Sequence, residues 1–175
     1  METTDNVNTH RYHVRAWDSR DWKKAWKQLL KDVPNIIKAA NIPVCGPKNE
    51  GFTGPIATAK EGVYVNGIGA DAQDPLCIRR DAMSFSVCTG GKPYDLVVGC
   101  ILLRAYLLAP EVVELRSDGR WDGAQWMHVR QLYHRIWPHS RVWCPWDGQP
   151  VVKEVNRRRD KKPSMIEALG KCVVQ

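Results

Sequence analysis

Apolar positions change period several times along the chain, and each change predicts an element. In "DSRDWKKAWKQLLKDVPNIIKAA", Trp22, Trp26, Leu29, Leu30 and Val33 recur at helical spacing and form one face, with Lys23, Lys24, Lys27 and Lys31 on the other side. Asp18 or Ser19 can cap this helix, Asp21 suits its first turn, and Pro34 is expected to kink or divide it. Residues 1–12 are polar and read as disordered, and residues 41–62 read as a long loop carrying at most short strands. "GVYVNGIG", "PLCIRRD" and "MSFSVC" read as strands, and the short links between them favour antiparallel hairpins. From Pro93 to Ala109 the chain is apolar nearly all round, which predicts a buried central helix with Pro93 at its first position. "EVVELRSDG" reads as a strand ending in a turn, "DGAQWMHVRQLYHRIW" as an amphipathic helix stopped by Pro138, and "RVWCPWDGQPVVKEV" as a last hairpin. "NRRRDKKPS" is a basic linker, and "SMIEALGKCVV" has the pattern of a short amphipathic helix.

This order of elements predicts an α+β protein: a mainly antiparallel sheet with a buried central helix and flanking helices on one face. It divides into a Trp/Lys-rich helical region (1–40), an α+β core (41–150) and a basic extension (151–175).

Charge sharpens that division. Residues 1–38 carry +3, residues 39–150 carry zero and residues 151–175 carry +4 of the chain's net +7. Basic ends on a neutral middle point to an acidic partner, either a nucleic acid or a host protein complex. The expected contact residues are Lys23, Lys24 and Lys27 on the first helix and Arg157, Arg158, Arg159, Lys161 and Lys162 in the tail. No apolar run reaches the ~20 residues of a membrane span, and residues 1–15 lack the apolar core of a secretory signal. A cytoplasmic protein is therefore expected, with its six cysteines as reduced thiols and no membrane partner.

Three stretches of the middle region stand out together: Asn66-Gly67 with Gly69 and Asp71, Lys92-Pro93-Tyr94-Asp95, and Ser117-Asp118-Gly119 followed by a tryptophan helix. Over residues 63–137 this pattern resembles a family of small, uncharacterised bacterial and phage proteins. The resemblance implies a common core and a phage or mobile-element origin, and it implies no activity.

The strand–turn–helix around Cys88 invites a catalytic reading, because a thiolate before a helix N-terminus is favoured by the backbone N–H groups. A phosphatase loop needs an arginine six positions after the cysteine, and Tyr94 stands there. A Walker A loop needs a hydroxyl residue after Lys92, and Pro93 stands there. What remains is an anion cradle at Thr89, Gly90, Gly91 and Lys92, or simply a turn. Asp71, Asp74, Asp118 and Asp122 follow strands and could hold Mg²⁺ in a nuclease. Glu114 to Arg116 resembles a nuclease E-x-K strand, but arginine is a poor substitute for the lysine. Among the histidines, His10 and His13 fall in the segment read as disordered, and His128 and His134 are spaced for different helix faces. None has metal-site spacing, so no metal or cofactor is expected. The expected function is non-enzymatic macromolecule binding, with inhibition of a host nucleic-acid-processing or defence complex as one form of it. Direct DNA or RNA binding is the alternative, and a metal-dependent nuclease the second alternative.

Overall fold

The computed structural model describes residues 8–48, 51–82 and 85–147. Its first element overturns the expectation of disorder: Thr9–Val14 is strand β1, flanked on both sides by other strands. The expectation failed because the polar residues of this strand alternate with buried ones. His10, Tyr12 and Val14 face inward, while Arg11 and His13 face solvent. Helix α1 (Arg20–Ala40) follows, with the Ser19 side chain accepting from the Trp22 N–H at 3.2 Å. It runs on through Pro34 as one helix, so the proline does not divide it. Val33 and Ile36 on either side of the proline are fully buried, so packing outweighs the ~3 kcal/mol that an interior proline costs.

The remaining elements are β2 (Ile56–Thr58), β3 (Gly62–Val65), β4 (Leu76–Ile78), β5 (Ser86–Cys88), α2 (Asp95–Leu108), β6 (Val113–Ser117) and α3 (Ala124–Ile136). The architecture is α+β, and all the strand pairing within the two sheets is antiparallel. The strands make two three-stranded sheets, ordered β5-β1-β6 and β2-β3-β4. β5 does not extend a meander from β4. It pairs with β1, with Arg11 opposite Ser86. Tyr12 links the two sheets by donating its hydroxyl to the Cys77 carbonyl of β4 at 2.8 Å. Burial raises this phenol to about 12. The last-hairpin expectation is not met over 141–147, which hold no strand, and the rest of it lies outside the described residues.

Helix α2 is the central core helix, with Val97, Val98, Ile101 and Leu103 fully buried. Its one interior cation, Arg104, ties all three helices together. It donates from Nε to Asp32 of α1 at 2.7 Å and from Nη1 to the Tyr133 hydroxyl of α3 at 2.9 Å. Its guanidinium also lies over the Trp137 ring, 4.0 Å from the centroid. The eight tryptophans all pack into or against the core. Trp17, Trp22 and Trp26 form one cluster and Trp121, Trp126 and Trp146 another.

Candidate functional site

The β5-β1-β6 sheet has two chemically different faces, and the alternation of β1 sets both. The inner face carries a polar cluster centred on His10, which is wholly buried. His10 Nε2 lies 2.8 Å from Asp95 Oδ1 and His10 Nδ1 lies 3.1 Å from Ser117 Oγ. Serine, histidine and aspartate in that sequence of contacts are the parts of a nucleophilic triad. The Ser117 oxygen is already engaged, however. It accepts from the Trp126 indole N–H at 3.0 Å and from the Gly119 N–H at 3.1 Å. A hydroxyl has two lone pairs, so its proton goes to His10 Nδ1 and no electron pair is left for attack. His10 therefore carries its own proton on Nε2, facing Asp95. Asp95 is engaged in turn by two further donors, accepting from the Thr89 hydroxyl at 2.5 Å and from Gln125 at 2.6 Å. It also sits in the first turn of α2, where the helix dipole favours a carboxylate. The Gln125 Oε1 atom is the one buried acceptor of the cluster without a partner among the described residues. The remaining bonds, which join two strands, the β5–α2 turn and two helices, favour one arrangement of those elements. Two of the three stretches behind the family resemblance, at Lys92–Asp95 and Ser117–Gly119, meet here. In the third, the Asn66 side chain staples its own loop by bonding Gly67 and Gln73.

The outer face carries the open chemistry. β1 and β6 pair so that Arg11 stands directly opposite Arg116. Opposed residues of an antiparallel pair have Cα atoms about 4.5–5.5 Å apart, and like charges in that position oppose pairing. Both arginines are exposed, and neither has an ion-pair partner among the described residues. The two carboxylates nearby are engaged at opposite ends of the face. Glu114 accepts from Arg15 Nε at 2.7 Å, and Asp118 accepts from the Thr9 N–H at 2.9 Å. Two depressions, of ≈ 360 Å³ and ≈ 310 Å³, share Arg11 and Arg116 as a common wall. The smaller one also reaches His13 and Phe85, whose rings stand edge to face with centroids 5.0 Å apart. Phe85 is 44% exposed, although its carbonyl is held by the Tyr12 N–H at 2.8 Å.

The sequence-predicted residues are distributed as follows. Lys23, Lys24 and Lys27 are all exposed on the wet side of α1, opposite the buried Trp22. Lys24 and Lys27 also border a groove of ≈ 640 Å³ between α1 and the end of α2. Arg157, Arg158, Arg159, Lys161 and Lys162 lie outside the described residues. In the Thr89–Lys92 turn the Thr89 hydroxyl points inward to Asp95, and the Lys92 N–H bonds back to the Thr89 carbonyl at 3.0 Å. Gly90 and Gly91 take the left-handed backbone (φ 59° and 69°) that lets strand β5 turn into α2. The Cys88 N–H is held by the Asp74 carboxylate at 3.1 Å. Asp71 ends a short 3₁₀ turn, and Asp122 pairs with Arg120 at 2.9 Å. No group of three or more His, Cys, Asp or Glu is placed to hold a metal ion among the described residues. His128 and His134 both lie on α3. Six residues of helix leave them roughly 120° apart, and both border one groove of ≈ 770 Å³ beside Met127.

Sequence reasoning missed Arg11, Arg116, His13 and Phe85 as a set. Its available signal was the strict alternation of "THRYHV", which reads as a strand only if His10 is accepted as an inward residue. Comparison with known proteins gives no match: no family model, no curated protein and no solved structure is similar to the chain. No helix among the described residues is long and apolar enough to cross a membrane.

Proposed function

We propose that the protein binds an acidic macromolecule, without catalysis of its own, through the outer face of the β5-β1-β6 sheet. The observation that carries this reading is the direct opposition of Arg11 and Arg116 on one sheet face, both exposed and without an ion-pair partner among the described residues. Opposed like charges cost a sheet on the order of 0.2–1 kcal/mol, and a bound anion reverses the sign of that effect. Guanidinium groups are suited to the task because they bind carboxylate or phosphate in a bidentate manner. Lys23, Lys24 and Lys27 add longer-range attraction that salt screens. The occupied lone pairs of Ser117 support a role without nucleophilic chemistry. The resemblance itself implies no activity; the finer role that a phage or mobile-element origin would suit is an inhibitor of a host nucleic-acid-processing or defence complex, acting in the host cytoplasm.

Elution from a heparin column tests the reading. The Arg11→Ala/Arg116→Ala variant is expected to elute at lower salt than the Lys23→Ala/Lys24→Ala/Lys27→Ala variant, although it loses fewer charges. Elution that simply tracks the number of charges removed would show that the sheet face is not a built site.

A further inference from the structure

We infer that the acidic partner is a single-stranded nucleic acid, with phosphates on Arg11 and Arg116 and a base stacked on Phe85. This rests on the acidic-partner reading above and adds the ligand's class. Charge alone would suit a duplex, a single strand or an acidic protein. Phe85 separates them. It is one of only two phenylalanines in the chain, and the eight tryptophans are committed to packing. Its ring is 44% exposed and borders the same depression as both arginines. A carboxylate-bearing protein segment would satisfy the arginines and give the ring no specific use. A duplex keeps its base faces stacked inside, so although strands can enter a major groove, the phenyl ring would find no open π-face there. A single strand offers what the surface can take: phosphates for the guanidiniums and an open π-face for the phenyl ring. Glu114 borders the depression that holds Phe85, and Asp118 borders the other. The Glu114 charge is offset by Arg15, whose Nε donates to it at 2.7 Å, so the Phe85 depression keeps an excess of positive charge.

Fluorescence anisotropy on the full chain tests this with three labelled probes: a twelve-nucleotide oligothymidylate, a duplex of the same length and a polyglutamate of matched charge. The oligothymidylate is expected to bind most tightly. Phe85→Leu retains apolar bulk but has no stacking face, so it should weaken oligothymidylate binding by about 5- to 150-fold. Heparin elution should be unchanged in that variant, and its circular dichroism should match wild type. Phe85→Trp should bind as tightly as wild type or more tightly, a readout that does not depend on how the leucine variant folds. Wild-type affinity in Phe85→Leu, weakened binding in Phe85→Trp, or equal or tighter binding of the duplex or the polyglutamate would each overturn the single-strand inference. The acidic-partner reading would survive any of these if Arg11→Ala/Arg116→Ala still elutes early from heparin, and it fails if that variant elutes like wild type.

Discussion

Replacing Arg104 with methionine should destabilise the fold far more than removal of one surface cation would. Arg104 is the only counter-charge to Asp32 among the described residues, and the side chains of the pair are 13% and 6% exposed. With the guanidinium gone, the Asp32 carboxylate keeps one described hydrogen bond, from Gln28 at 2.9 Å. Leaving a buried charge in that state costs about 3–5 kcal/mol. Loss of the contact over Trp137 adds to this, because a partly desolvated cation–π contact contributes on the order of 0.5–2 kcal/mol. Methionine returns some of the lost packing, so the expected net effect is about 3–5 kcal/mol. At a urea slope of ~2 kcal/mol/M the midpoint should fall by about 1.5–2.5 M, with the slope itself unchanged. The double variant Arg104→Met/Asp32→Leu removes both charges and should recover most of the loss, giving a coupling energy of a few kcal/mol in a double-mutant cycle. A single-variant cost below about 1 kcal/mol, the range of an exposed pair, would refute the claim that Asp32 depends on Arg104.

Leu103→Ala should cost about 2–5 kcal/mol, since Leu103 is fully buried in α2, and a small midpoint shift at constant slope would count against that burial. Tyr12 is held about two units above its ordinary 10.0, so the folded state retains a proton that the unfolded chain loses; stability should fall by about 2–3 kcal/mol as pH rises from 10 to 12. Tyr12→Phe should remove that part of the alkaline loss, and an unchanged pH profile would show that the phenol is not protected. Arg157→Ala/Arg158→Ala/Arg159→Ala should reduce the logarithmic salt slope of single-strand binding by about 2 if all three contact phosphates, whereas binding equal to wild type at every salt concentration would make the tail a bystander.

Sequence periodicity located helices α1, α2 and α3 and strands β3 to β6 because their apolar residues are large and regularly spaced. It failed at β1 for a physical reason. A strand whose inward positions are His10, Tyr12 and Val14 has little hydrophobic contrast with its outward positions, and His10 is buried through hydrogen bonds that pattern alone cannot reveal. Pairing was equally hidden. Short links pointed to hairpins in chain order, yet β5 leaves β4 and joins a strand more than seventy residues earlier. The basic helix face was legible because Lys23, Lys24 and Lys27 are local in sequence. The Arg11–Arg116 pair was not, since it exists only through the β1–β6 register.

That register connects the two faces of the sheet. The His10 cluster is built from β1, the β5–α2 turn, the start of α2, the end of β6 and α3, so it fixes where β1 lies against β6. His10 pairs with Ser117 in the ladder, and the next pair along is Arg11 with Arg116. A slip of one residue would send every side chain of β1 to the other face, placing Arg11 in the core and His10 in solvent. The inner cluster therefore holds in place an outer pair whose mutual repulsion would otherwise favour another pairing. In that arrangement the buried histidine needs no chemistry of its own to matter for binding. It sets the position of the neighbouring arginine, one residue along the strand and on the opposite face.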